Sequence, residues 1–477
     1  MSLRKFKEKF ASLSQPAKAS LVFVVANIFQ KGINFLMAPV NTRILESKDY
    51  GVVSLYDTWY AIISVVALLS LYEAVYGVGL TEFKNDRDVF TFSLLVLSNI
   101  ATLLCSLIYV INPAWVRSAL KLSDKLIMLM IIALLLYPAL YFWTIRQRFE
   151  YKYKASATIT ISTSVMMSIC SVIAVLTTKG NKAEAKVITN FAVICPVLVT
   201  LYIYIVTKAK FKLKVKYWWY SLKFTIPLIP HYLSLYLLDG SDKVIITKLI
   251  DSSATGIYEI ACKFNSILIV IWNAINATLI PWTYECLEKK KYSDIKKVTT
   301  LIVLLTGGLC TCVSLVAPEA VKIIASKGYY DAVYAIPPLT MGLFLESIYY
   351  MFSNVEFYHK STVFAMISTI VAATVNIGLN FLLIPKFGFV VAAYTTLFGY
   401  VIQTILHYIN MRRCEKESVF NISFIVRYSL IIITFNILLT RIYPYTVVRY
   451  VLVLTLAVVA YIKRKELIHL FKTIKNK

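Results

Sequence analysis

Apolar runs recur along this chain at intervals of roughly 25 to 35 residues, each near the ~20 residues that a bilayer-spanning helix needs. No feature of the sequence restricts its fold more. Of its 477 residues 59% are hydrophobic and only 16% charged, where a soluble chain has about a quarter charged. The runs predict an all-α polytopic membrane protein with about fourteen transmembrane helices. The first seven fall near 17–40, 52–76, 89–111, 124–145, 155–177, 186–207 and 222–246, the last being the least hydrophobic. The second seven fall near 254–280, 297–317, 334–357, 361–384, 388–411, 421–441 and 446–463. A β-barrel would need strands of about ten residues with strict alternation, which these runs lack. The basic start MSLRKFKEKF leads into an apolar segment too long for a signal-peptide core, with no small-x-small cleavage site, so the first span reads as a retained signal anchor.

The formal charge of +25 raises the question of a nucleic-acid partner, and the distribution of the charge answers it. With the N-terminus inside, the inside segments hold roughly 32 of the 50 Lys and Arg. The clusters RQRFEYKYK, KAKFKLKVK, ECLEKKKYSDIKK and RRCEKE all fall on that side. The basicity is the positive-inside signature of a membrane protein with both termini cytoplasmic, and nucleic acid is not expected as a partner. Cys105, Cys170, Cys195, Cys262, Cys310 and Cys312 sit in expected spans and Cys286 and Cys414 in loops. They read as small packing residues. No metal-ligand spacing is present, and no metal or cofactor is expected.

One phrase is written twice. TRILESKDYGVVSL from Thr42 is echoed by TKLIDSSATGIYEI from Thr247, aligning Ser47 with Ser252, Gly51 with Gly256 and Glu46 with Asp251. Each copy leaves one span, turns, and opens the next. Six spans separate the copies, an even number, so both have the same orientation, as in parallel repeats related by an axis along the membrane normal. The expected organisation is a tail (1–16), an N-lobe of six spans (17–207), a basic linker (208–220) and a C-lobe of six spans (221–411). An added helix pair (412–463) and a basic tail (464–477) complete it. Two lobes that rock against each other suit alternating-access transport.

The stretches NIFQKGINFLMAPVNTRILESKDYGVVSLY and GSDKVIITKLIDSSATGIYEIACKFNSIL resemble polysaccharide-lipid flippases of the Wzx type. These stand in the multidrug/oligosaccharidyl-lipid/polysaccharide superfamily with MATE exporters and lipid II flippases. The similarity is strongest over residues 20–95 and 222–285. It implies a MATE-like V-shaped bundle of two six-helix lobes. It also implies transfer of a polyprenyl-diphosphate-linked (undecaprenyl-type) oligosaccharide to the outer leaflet of a bacterial inner membrane, for O-antigen, capsule or exopolysaccharide synthesis. Glycan polymerase and assembly proteins would be its partners, beside the bilayer itself.

The ionisable residues within spans are the site candidates. Lys31 lies about 20 Å along the first helix from Ala17, too deep to snorkel easily, and an ion at mid-depth costs at least ~2.5 kcal/mol. It is the candidate for the substrate diphosphate, against a structural ion pair with Asp57 or another lumenal acid. Lys263 follows Glu259 by four residues, and the two either bind substrate or neutralise each other. Asn265, Asn273 and Asn276 continue that helix as a polar lining or as interhelical glue. Asp57 and Glu346 are further lumen candidates, whereas Glu73 and Glu356 lie near expected cytoplasmic ends and read as solvated. Span seven, FTIPLIPHYLSLYLLDGSDKVIITK, is broken by prolines and carries Asp239, Asp242 and Lys243. It reads as a gate, a lock or a coupling-ion site. His231 is a further coupling candidate.

No GxxxxGK[ST] loop is present, so ATP hydrolysis by this chain is not expected. A MATE-type drug or cation antiporter is the alternative transporter, but Lys31 and Lys263 favour an anionic guest. A membrane polysaccharide polymerase or ligase would carry a substantial outer loop with catalytic Arg or His, and the outer loops here are short. The chain is read as a transporter, not an enzyme.

Overall fold

The computed structural model describes residues 14–462, so most of both basic tails lies outside the described residues. Among the described residues there is no strand. The chain divides into two compact units: Met1–Leu45 with Val52–Tyr236, and Glu46–Gly51 with Leu237–Lys477.

Unit 1 begins with α1 (Gln15–Leu36) and α2 (Ala38–Ile44). The second of these has Pro39 in its first turn, where a missing N–H is tolerated. Next come α3 (Ser47–Ala67), which starts in unit 2, α4 (Leu71–Ala74), α5 (Tyr76–Glu82), α6 (Arg87–Ile111) and α7 (Pro113–Leu120). Three long helices, α8 (Asp124–Phe149), α9 (Tyr153–Thr177) and α10 (Lys182–Ala209), complete the bundle, and α11 (Lys216–Thr225) leads into α12 (Ile229–Leu249). The unit boundary falls within α12.

The expected second span is not one helix. It stops at Ala67, and Leu69 and Ser70 take left-handed dihedrals (φ 54° and 47°) before α4 starts. Left-handed geometry costs an L-residue about 1–2 kcal/mol, so surrounding packing must hold this break in place. Leu68, Ser70 and Leu71 are all fully buried. The break sets Tyr72 and Glu73 on a separate short helix.

The linker after α10 is pinned rather than loose. The Lys214 backbone N–H donates to Ser93 Oγ (3.1 Å) and Trp218 Nε1 donates to the Ser93 carbonyl (2.7 Å). Lys214 Nζ and the Tyr217 hydroxyl both donate to Asp86, and the Tyr220 hydroxyl donates to Glu82 (2.6 Å). Burial alone would raise the Asp86 carboxyl, but these two donors outweigh it and hold the group below the usual carboxylate range.

Unit 2 is built on α13 (Ser252–Glu288), α14 (Tyr292–Ile324), α15 (Ile336–Tyr358), α16 (Thr362–Phe387), α17 (Val390–Cys414), α18 (Ile422–Leu439) and α19 (Thr446–Ile462). Helix α15 is its axis: Met341, Phe344, Ile348 and Val355 are almost inaccessible, and α13, α14 and α17 supply the surrounding core. Helix α19 is tied to α14 by Arg449, whose guanidinium grips the Glu319 carboxylate at both oxygens (2.6 and 2.5 Å).

Helices occupy all fourteen expected positions, yet fewer qualify as spans. Among the described residues eleven are long and apolar enough to cross a membrane, or up to twelve if the pair Lys327–Tyr334 and Ile336–Tyr358, bent by 48°, is one span. With the bent pair taken as the tenth span, the shortfall falls at the seventh and the last expected spans. Helix α12 carries Asp239, Asp242 and Lys243 within 21 residues, and the apolar part of α19 is short, Thr446–Val458.

The two copies of the repeated phrase meet. The middle of the first copy, Glu46–Gly51, belongs to unit 2 with the whole of the second, and each copy opens a helix, α3 and α13. A Cβ on Gly51 would strike the carbonyl oxygen of Ser252, and one on Gly256 would strike that of Ser47. Ser47 Oγ lies 2.5 Å from Ser253 Oγ. Residue 51 thus faces 252, and its counterpart 256 faces 47, the reciprocal pairing that a local two-fold relation produces.

Candidate substrate and coupling sites

The irregular seventh segment places most of the predicted residues of unit 2. Pro227 falls in a 3-10 turn (Ile226–Leu228) and Pro230 in the first turn of α12, where its missing donor does no harm. From there α12 runs through Asp239, Asp242 and Lys243, which face different surroundings.

Asp242 is buried and accepts from three donors. The Tyr258 hydroxyl (2.7 Å) and Thr396 hydroxyl (2.5 Å) reach Oδ2, and Asn380 Nδ2 (2.6 Å) reaches Oδ1. Asn380 Oδ1 in turn accepts from Thr395, and Asn376 links Thr396 to Ser241. Three charge-assisted bonds from α13, α16 and α17 fix this carboxylate. The cluster is rich in oxygen, built from side chains of four helices.

Lys243 and Lys263 share one carboxylate. Lys243 Nζ lies 2.6 Å from Glu259 Oε2 and Lys263 Nζ 2.7 Å from Glu259 Oε1. Of the two roles open to Lys263, the structure presents the neutralised one, with Lys243 added to the pair. The trio still carries one excess positive charge.

Asp239 is solvent-accessible and within Coulombic range of Lys243, Asp242 and Glu346. Glu346 is half-buried on α15. These two acids and the Lys243–Glu259–Lys263 trio gather around α12, the one substantial convergence of predicted residues. Asn265 donates to the Leu339 carbonyl (3.1 Å), and Asn276 accepts from Asn354 (3.0 Å), so both tie α13 to α15. Asn273 is exposed.

Lys31, Asp57 and His231 lie in unit 1. Lys31 is exposed on α1, near the middle of the apolar stretch Leu21–Ile44, and takes no hydrogen bond or ion pair among the described residues; the pairing with Asp57 is not found there. Asp57 is exposed on α3. His231 is half-buried beside Tyr232, its Nδ1 buried without a partner among the described residues.

Two carboxylates depart from the reading of the sequence. Glu356 is not solvated at a helix end: it is fully buried and 3.0 Å from His407 Nδ1, with His407 stacked on Tyr349. Glu73 is likewise held, accepting from the Tyr236 hydroxyl (2.8 Å). Sequence reasoning also passed over Asn376, Asn380 and Tyr258. Two asparagines four residues apart in an otherwise apolar run put two amides on one helix face, and that spacing was the available signal.

A family model described as "Polysaccharide biosynthesis protein" matches residues 17–286, more than half of the chain. The chain belongs to that family. This polysaccharide biosynthesis protein is 22% identical over 289 residues to protein 1 of the Lsg locus of Haemophilus influenzae, covering 57% of this chain and 67% of the relative. It is 24% identical over 176 residues to the "Probable low-salt glycan biosynthesis flippase Agl15" of Haloferax volcanii, covering 36% of this chain and 37% of that one. Among solved structures, the lipid II flippase MurJ in an inward closed conformation superposes with a TM-score of 0.68 at 13% identity, over 94% of this chain and all of MurJ. An inward-facing multidrug resistance MATE transporter of the same superfamily superposes with a TM-score of 0.62 at 14% identity, over 84% and 99% of the two chains. The family match bears out the resemblance of the sequence, and the fold of this polysaccharide biosynthesis protein is that of the MurJ and MATE transporters.

Proposed function

We propose that the protein is a secondary transporter that moves a polyprenyl-diphosphate-linked oligosaccharide between membrane leaflets, with no catalytic role of its own. The family match over residues 17–286 carries this reading. The fold shared with a lipid II flippase and the name of the Haloferax relative support it. In this reading the membrane is the bacterial inner membrane, both termini are cytoplasmic, and a glycan polymerase receives the product.

Lys31 binds the diphosphate. An ammonium with no intramolecular partner among the described residues, near the middle of the apolar stretch Leu21–Ile44, is the group that an anionic guest would compensate. Lys263 contributes through the excess positive charge of its trio. The Asp242 cluster serves coupling or gating. Its oxygen-rich donor set suits a small hard cation, and opening it requires α12, α13, α16 and α17 to separate. Asp57 and Glu346 are further substrate contacts, and Asp239 and His231 further coupling groups, each within its own unit.

The test is export of lipid-linked glycan in cells carrying Lys31→Ala, Lys31→Glu and Lys31→Arg, with membrane abundance measured alongside. The first two abolish export at normal abundance, and Arg, which keeps the charge, retains part. Normal export by Lys31→Ala moves the diphosphate site to Lys263.

A further inference from the structure

Glu73 sits among tyrosines. Tyr236 donates to Oε1, while Oε2 is buried and takes no partner among the described residues. The rings of Tyr72 and Tyr141 lie 4.6 Å apart, those of Tyr137 and Tyr141 5.8 Å, and those of Tyr60 and Tyr137 5.6 Å. The hydroxyls of Tyr60 and Tyr141 are 3.1 Å apart. All five phenols are half-buried, so each keeps part of its surface open.

Three observations argue that this cluster is a binding surface and not ordinary core. The centre of the unit 1 core is made of fully buried side chains such as Leu71, Phe90 and Ala139, and Tyr72 packs against it; Tyr60, Tyr137, Tyr141 and Tyr236 are half-buried, and the first three continue the ring cluster away from Tyr72. Tyr72 and Glu73 stand on the short helix α4, held out of register by the left-handed Leu69 and Ser70. Irregular backbone at or near membrane depth is tolerated where it lines a cavity. Finally, a buried carboxylate oxygen is left with an open acceptor position.

The chemistry selects the guest. Tyrosines, not cations, are the groups that act on Glu73, so a diphosphate would meet a carboxylate and no compensating charge. A pyranose ring fits instead. Its C–H faces lie against phenol rings, its hydroxyls exchange hydrogen bonds with phenol hydroxyls, and one hydroxyl donates to Glu73 Oε2.

We propose that Tyr60, Tyr72, Tyr137, Tyr141, Tyr236 and Glu73 form a sugar-binding site that reads the glycan end of the lipid-linked substrate, apart from the group that takes the diphosphate. The assignment rests on the flippase reading given above. On the topology proposed there, the site lies in the cytoplasmic half of unit 1, where the glycan enters.

The test uses the full-length protein in lipid nanodiscs, the cation tetraphenylphosphonium and four lipid probes: undecaprenyl diphosphate alone, and the same lipid bearing one N-acetylglucosamine, glucose or galactose. The wild type prefers at least one sugared lipid. Glu73→Gln and Tyr141→Leu each reduce that preference about tenfold, the worth of one hydrogen bond to a charged group, and leave the bare lipid unaffected. Tyr141→Phe, which keeps the ring and folds without a cavity, gives a smaller reduction. Lys31→Ala weakens all four probes alike. Equal loss on bare and sugared lipids in the Glu73 and Tyr141 variants overturns the proposal. So does a wild type that binds all four probes equally. So does a Glu73→Gln variant that loses only the cation tetraphenylphosphonium, which would make the cluster a cation site. A wild type that binds none of the lipids removes the flippase reading first, and this site with it.

Discussion

Glu73 in unit 1 and Glu259 in unit 2 are both carboxylates set among helices, and they are satisfied by opposite means. Glu259 has an ammonium on each oxygen, from Lys243 and Lys263. Glu73 has one phenol hydroxyl and an oxygen left over. A carboxylate clamped by two cations is a fastener, because removing it strands two charges in a low-dielectric setting. One met by a neutral donor has spare acceptor capacity for a guest. The same residue type therefore builds structure in one unit and a receptive surface in the other.

The sharpest way to break this comparison is to neutralise both. Glu259→Gln should cost about 3–5 kcal/mol, the range for breaking a buried ion pair. Glu73→Gln should cost no more than about 1 kcal/mol, the scale of a neutral hydrogen bond. Chemical denaturation in detergent, with membrane abundance as a second readout, checks both; equal losses would erase the distinction. Next in size is Gly256→Ala, whose Cβ meets the Ser47 carbonyl. Overpacking of this kind costs about 1–3 kcal/mol, and Gly32→Ala, with nothing within 4 Å, serves as the control in the same melt.

The smallest effect is expected at the linker. Asp86 is held below its ordinary range, so its bonds to Lys214 and Tyr217 contribute fully above the unfolded pKa of about 3.9. They are lost as pH falls through the lower folded value. Pepsin cleavage within residues 208–220 should stay slow at pH 4 and quicken below it, and Asp86→Asn should remove the pH dependence. Cleavage independent of pH in both proteins would show that the latch does not depend on this carboxylate.

Hydropathy made the helices legible because a bilayer demands length and apolarity, and both can be counted. It counts the seventh segment too generously. Helix α12 has the length but also carries Asp239, Asp242, Lys243 and Lys248, while α19 is described only as far as Ile462. At the candidate sites, Glu259 and Lys263 were legible as a pair because four residues apart on one helix is a local relation. The contribution of Lys243 was not, since it arrives from another helix. Glu356 looked solvated by its position near a helix end, and only the packing of α17, which brings His407 to it, reverses that reading. The tyrosine cluster draws on residues from 60 to 236, and no window of sequence contains it.

The meeting of Gly51 with Gly256 has an electrostatic consequence. Both glycines lie in the first turns of their helices, α3 and α13, so two helix N-termini are brought together backbone to backbone. Each N-terminus carries roughly half a positive charge from its aligned peptide dipoles, and two such ends in contact repel. The acids in the repeated phrase answer this. Asp251 caps α13 by accepting from the Ala254 N–H (2.8 Å), and Asp49 lies in the first turn of α3 with Glu46 just before it. The glycines permit the approach and the carboxylates beside them offset the dipoles it opposes, which gives a physical reason for acid and glycine to recur together in both copies.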